Sequence, residues 1–153
     1  MGVYNMANNS LEIIEREAKQ YIVVMVGSEQ YGIDISYIDN IVRMQKITRV
    51  PKVQSYFNGI INLRGEIVSV MSIRRKMGLE EDVFTNASRI IILKLEEKGA
   101  IGIIVDQVKE VVNLSEDDIE KASNKGKFIN GIGKHGDELI SLFEINAIVE
   151  ETV

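Results

Sequence analysis

The chain carries one β-rich pattern twice, and a duplicated unit dictates architecture before any single element is read. Residues 31–42, which begin Tyr31-Gly32-Ile33-Asp34-Ile35, align with residues 101–112, which begin Ile101-Gly102-Ile103-Ile104-Val105, 70 positions on. Asn58-Gly59-Ile60 returns as Asn130-Gly131-Ile132, and Glu66-Ile67-Val68-Ser69-Val70 as Glu138-Leu139-Ile140-Ser141-Leu142, both after 72 positions. One short loop insertion accounts for the change of offset. Chance alternation of apolar residues can align one strand, but not three segments in order with their glycines. A unit of about 60 residues is marginal alone, so the two copies are expected to share a core. The matched apolar pairs Ile33/Ile103, Ile35/Val105, Ile67/Leu139 and Val70/Leu142 are its expected contributors.

β-Branched runs bounded by turn residues predict strands over 20–26, 30–35, 46–50, 90–95, 100–105 and 138–143. The stretch 60–73 reads as two strands joined at Arg64-Gly65. Short helical pieces are expected at 10–19, where Asn9 and Glu12 form a capping box, and at 115–121 and 144–149. Others are expected after Ser72, which caps a turn stopped by Gly78, and between Pro51 and Gly59. Ile38 and Ile41, three apart, suggest a further helical turn capped by Asp34 or Ser36. This arrangement predicts an N-terminal segment (1–19), partly helical or disordered, and a single all-β domain (20–153). Within the domain, small barrels over 20–73 and 89–148 flank a connector at 74–88.

Of 153 residues, none is cysteine and one is histidine, and the net charge is −5. Disulfides and thiolate metal sites are thereby excluded, and the acidic balance opposes a nucleic-acid or anionic-membrane surface. No apolar run approaches the roughly 20 residues of a membrane span, and no basic stretch leads into an apolar run at the start. A soluble, cytoplasmic protein is expected. His135, Asp137 and Ser141 fall on one hairpin without a nucleophile elbow, so neither catalysis nor a cofactor is expected. The acidic runs at 80–82 and 116–118 read as a solvated linker and a helix start. Arg43, Lys46, Arg49 and Lys52, followed by Tyr56 and Phe57, leave a small-barrel nucleic-acid binder as a distant alternative. The two copies differ most in their turns. Arg64 stands at the tip of the first, read either as a solvated turn arginine or as a contact residue.

Pro51 followed by Gly59-Ile60-Ile61-Asn62-Leu63-Arg64-Gly65-Glu66-Ile67-Val68 closely resembles the signature of the CheW family of bacterial chemotaxis coupling proteins. Tyr31-Gly32-Ile33-Asp34-Ile35 and Gly102-Ile103-Ile104-Val105-Asp106-Gln107-Val108 match the family's other recurrent stretches, and the similarity covers residues 20–148. The resemblance implies two SH3-like five-stranded barrels on a shared core and a function without chemistry. It implies two partners: the cytoplasmic hairpin tips of methyl-accepting chemoreceptors, and the regulatory domain of the histidine kinase CheA. Carried over by motif, Ile38, Asn40, Gly59, Asn62 and Arg64 fall in the receptor-binding region, and Gly102, Asp106 and Val108 on the kinase side. Ile38 and Val108, read as filling no core, would supply apolar patches. Asn40 departs from the acidic residue common there, and Ser69-Val70-Met71-Ser72-Ile73 replaces a common Pro-Val-x-Asp-Leu. The resemblance further implies a free monomer without direct membrane insertion, recruited to receptor arrays through its partners. An isolated domain of a CheV-like or CheA-like protein is the alternative within the same fold.

Overall fold

The computed structural model describes residues 18–122 and 124–150. The expected helix over 10–19 lies almost wholly outside them, and Lys19 already belongs to a strand. In chain order the elements are β1 (Lys19–Val26), β2 (Glu29–Asp34), β3 (Ile38–Arg43), β4 (Phe57–Leu63), β5 (Glu66–Ser72) and helix α1 (Ile73–Lys76). The second half holds β6 (Arg89–Leu95), β7 (Gly99–Val105), β8 (Gln107–Leu114), β9 (Ile119–Lys121), β10 (Ile129–His135), β11 (Glu138–Phe143) and helix α2 (Ile145–Val149). The class is all-β, in two small SH3-like barrels with a few short helices.

The sheets do not follow the boundary between the sequence copies. One runs β8-β1-β2-β11-β10-β9 and the other β3-β6-β7-β5-β4. The first hairpin of each copy, β1–β2 or β6–β7, therefore lies in the barrel built from the other copy's later strands. A division at 20–73 and 89–148 cuts through both sheets. Self-similarity reveals which strands are equivalent, not which pair, so the exchange left no mark in the sequence. The exchange obeys the duplication closely. β2 runs parallel to β11 with Gly32 opposite Leu142, and β7 runs parallel to β5 with Gly102 opposite Val70.

The swap explains the shared core. Val24, Ile33, Ile91, Leu93, Ile103 and Val105 are fully buried in one apolar cluster drawn from both sheets, joined by Ile73, Ile145 and Ile148 of the helices. Tyr31 stacks on Phe143 within it, ring centroids 4.5 Å apart. Each barrel adds its own apolar filling: Tyr21, Val23, Leu114 and Leu142 in one, Ile61, Val70, Ile90 and Ile104 in the other. Each such side chain contributes roughly 1.5–3 kcal/mol by leaving water. The barrels cannot separate without exposing the central cluster.

Several expectations need correction. Ile35, Ile67 and Leu139 are not core; Ile67 and Leu139 are 58% and 60% exposed at equivalent positions of β5 and β11. A strand alternates its faces, and their neighbours Val68 and Ile140 take the inward sites. The helical turn before β3 covers only Ile35–Tyr37, where Asp34 accepts from the Ser36 N–H, so Ile38 and Ile41 lie in a strand. A strand over 46–50 is reduced to one bridge, Thr48 with Ile60. The segment from Pro51 to Gly59 makes turns rather than a helix. The helix over 115–121 is a single turn at Glu116–Asp118, held by a Ser115–Asp118 capping box, and chain pairing turns 119–121 into β9.

Candidate functional site

The β4–β5 hairpin presents Arg64 by a strained turn. Leu63 pairs with Glu66, leaving Arg64-Gly65 as the loop, with φ of 56° and 85°. Two consecutive positive φ values define a type I′ turn, whose first position favours asparagine, aspartate or glycine because a Cβ crowds the backbone. Arginine there is strained. Asn62 has a structural part in this turn. Its Oδ1 accepts the Gly65 N–H at 2.9 Å and braces the turn. Arg64 is exposed and has no ion pair or hydrogen bond among the described residues, so its five donors are available.

The other receptor-side residues fall into different roles. Ile38 on β3 is half-buried against the central core, contrary to its reading as a residue that fills none, yet it also lines an open groove of about 680 Å³. Leu63, Glu66 and Val68 share that groove, which brings β3 to the base of the Arg64 hairpin. Asn40 lies beside Ile38 on β3, and its Oδ1 is shielded from water without a partner. Gly59 is buried, and its part is steric. A Cβ there would lie 2.1 Å from the Thr48 carbonyl oxygen, at a φ of 141°. It thereby permits the reciprocal Thr48–Ile60 hydrogen bonds, both 2.8 Å, that fasten the β3–β4 loop.

Of the residues that the resemblance assigns to the kinase side, Asp106 lies at the seam between the sheets. Asp106 links β7 to β8 and accepts three N–H groups: from Arg74 Nη2 at 2.5 Å, from Arg74 Nε at 3.3 Å, and from the Gly27 backbone at 2.8 Å. It thus ties α1 of one barrel to the β1–β2 turn of the other, and its own N–H donates to the Met25 carbonyl. The paired carboxylate raises the pKa of the Arg74 guanidinium above its usual value, its hydrogen bond from Arg74 outweighing the cost of burial. Asp82, hydrogen-bonded to Ser72, adds a second carboxylate 4.0 Å from Arg74. Gly102 is buried, and a Cβ there would meet Ile90 Cγ2 at 2.7 Å, so it permits packing and offers no side chain to a partner. Val108, on β8, is half-buried against the central core and likewise fills part of it.

Arg74 was not among the residues singled out from sequence, and Asp82, read there as part of a solvated linker, has a side chain only 5% exposed because it turns in to Ser72 and Arg74. Asp106 at a strand junction needed a cation, but its partner stands 32 positions earlier, beyond any local pattern. The competing sites do not assemble. His135, Asp137 and Ser141 share no hydrogen bond. Tyr56 is buried beneath Lys76, whose Nζ lies 4.0 Å from the ring centroid, so it offers no face for a base to stack on. Among the described residues no group of three or more His, Asp or Glu is placed to hold a metal, and no helix is long and apolar enough to cross a membrane.

Two exchanged barrels with a free, strained arginine on one hairpin and a locked seam define a scaffold that acts through its surfaces. Comparison with known proteins gives the same class. The model of the CheW-like domain matches residues 20–153. The chemotaxis protein CheW of Bacillus subtilis is 32% identical over 141 residues, covering 89% of this chain and 90% of that protein. The CheW of Helicobacter pylori is 30% identical, covering 88% and 84%. The crystal structure of the scaffolding protein TtCheW from Thermoanaerobacter tengcongensis superposes with a TM-score of 0.80 at 31% identity, covering 87% of this chain and 93% of that one. The chain belongs to the CheW family of chemotaxis scaffold proteins.

Proposed function

We propose that the chain is a non-catalytic adaptor that couples the cytoplasmic tips of chemoreceptors to the histidine kinase CheA, making kinase autophosphorylation follow receptor ligand. The observation that carries this reading is Arg64: an unpaired guanidinium, fixed at an unfavourable φ, next in sequence to Leu63, which lines a mixed polar and apolar groove with Ile38 and Val68. A guanidinium fork takes carboxylates or carbonyls of a partner with defined geometry, while the groove supplies apolar area. Gly59, Asn62 and Asn40 serve this face by shaping the loop, bracing the turn and flanking Ile38. On the kinase side, the surface around Val108 is presented by the Asp106–Arg74 seam, with Gly102 allowing the strands to pack close behind it. Because both faces belong to barrels that share a core, a load on one is transmitted through a rigid body. The adaptor works in the cytoplasm and joins membrane-bound arrays through its partners, where multivalency multiplies modest affinities.

The test measures autophosphorylation of a CheA-type kinase on receptor-bearing membranes, with and without the chain, across receptor ligand concentrations. Ligand-dependent activity only when the chain is present is the expected result. Kinase activity indifferent to the chain, with no binding to the kinase regulatory domain, would overturn the proposal.

A further inference from the structure

Charge is unevenly spread along this acidic chain. Residues 40–65 hold Arg43, Lys46, Arg49, Lys52 and Arg64 and no Asp or Glu, a stretch of net +5 in a chain of net −5. Arg43, Lys46, Arg49 and Lys52 make no ion pair among the described residues. Their loop, between β3 and β4, borders a groove of about 460 Å³ lined by Arg49, Lys52 and Arg75 together with Val50, Val53 and Phe57. Val50 and Val53 are 38% and 43% exposed. The groove thus combines cations with uncovered apolar surface.

The backbone adds an independent observation. Among the described residues only two non-glycine residues have positive φ, Arg64 at 56° and Lys52 at 61°. Lys52 follows Pro51, at the turn position that ordinarily favours glycine or asparagine. The lysine is held there against its backbone preference, and such outliers are candidates for a functional role. The cations nearest the groove are also only partly engaged. Arg75 Nη1 donates to the Ser55 carbonyl at 3.0 Å, and Nη2 stands 3.7 Å from Glu81, whose side chain is 83% exposed. No Asp or Glu is among the described residues that line the groove, and an exposed ion pair such as Arg75–Glu81 is open to a competing carboxylate.

We propose that this groove is a docking site for an acidic segment of a partner protein that carries an apolar anchor, its carboxylates meeting Arg49, Lys52 and Arg75 and its anchor lying against Val50, Val53 and Phe57. A peptide fits better than a polyanion. Tyr56 is buried and unavailable for base stacking, and the exposed valines match side chains, not phosphates. The site is separate from the Arg64 hairpin and does not rest on the coupling function.

The experiment titrates the full chain with a short fluorescein-labelled peptide alternating glutamate with leucine, read by fluorescence anisotropy. Saturable binding is expected, weakened by salt and about tenfold weaker for Arg49→Glu, the loss of roughly one charge-assisted contact. Replacing leucine by serine in the peptide should abolish it. Lys52→Gly should melt no lower than the parent yet bind more weakly, which separates the contact from the fold. Arg64→Asn should leave this binding unchanged. The proposal is overturned if the peptide does not bind, or if Arg49→Glu binds it equally. Equal weakening by Arg64→Asn, or tighter binding of single-stranded DNA or phosphatidylserine vesicles than of the peptide, also overturns it.

Discussion

Replacing Arg64 by asparagine should make the protein more stable and less able to couple. The two effects come from separate features of the same residue. At φ 56° the arginine Cβ is crowded by its own backbone, a penalty of roughly 1–2 kcal/mol for most L-residues. Asparagine tolerates this conformation, and Asn-Gly is the preferred type I′ pair. Recovering about half to all of a 1 kcal/mol penalty should raise the melting temperature by about 1–4 °C for a chain of this size. The Asn62 brace on Gly65 is untouched. Against that gain, the guanidinium is lost, and a hydrogen bond to a charged group contributes about 1.5–3 kcal/mol. The concentration of the chain needed for half-maximal receptor control of the kinase should then rise about ten- to hundredfold. Thermal unfolding followed by circular dichroism measures the first effect, and kinase activity on receptor membranes the second. A lower melting temperature would refute the strain argument, and unchanged coupling would remove Arg64 from the receptor face. Arg64→Lys keeps the charge without the fork and should lie between parent and asparagine variant in coupling.

Asp106→Ala removes acceptors from Arg74 and Gly27 and should cost about 1–3 kcal/mol, measured by urea unfolding; a loss below 0.5 kcal/mol would contradict the seam. Gly102→Ala forces a methyl to 2.7 Å from Ile90 Cγ2 and should destabilise by about 1–3 kcal/mol, whereas Ile67→Ser and Leu139→Ser should each change stability by less than about 0.5 kcal/mol. Alkaline pH should weaken the fold through Tyr31, whose pKa is pushed up from 10.0 to about 12 by burial, then by the Glu29 carboxylate that accepts its hydroxyl. The folded state holds that proton more tightly, so the stability is complete below pH 10 and is lost as pH rises toward about 12. Melting temperatures taken across that window should fall, and Tyr31→Phe should fall less steeply.

The duplication and the hairpin tip were legible because both are local. Equivalent strands repeat at fixed offsets, and Arg64-Gly65 between two apolar runs can only be a tight turn. Edges and faces were not legible. The outward turn of Ile67 and Leu139 depends on which face of each strand meets the core; the serines two positions on, Ser69 and Ser141, share their face and were the one local sign of it. β3 was read as helical because a spacing of three is compatible with either period over so few residues, and β9 because the acidic run 116–118 suits a helix start; partner strands decided both outcomes. Gly59, Gly102 and Asp106 belong to the signature stretches, and packing gives each a structural part. Two are glycines that a methyl would overfill, and the third fastens one barrel to the other. A family signature therefore includes residues that hold the frame as well as any that meet partners. On this chain Arg64 is exposed at its hairpin tip, Gly59 and Gly102 are buried, and Asp106 lies at the seam between the sheets. The exchanged hairpins carry the remaining consequence. A barrel whose first two strands come from the other copy cannot tilt without disturbing its neighbour. Under the proposed function, a partner that loads the Arg64 hairpin would therefore move the Asp106 seam with it, and the swap would supply the rigidity that such coupling needs.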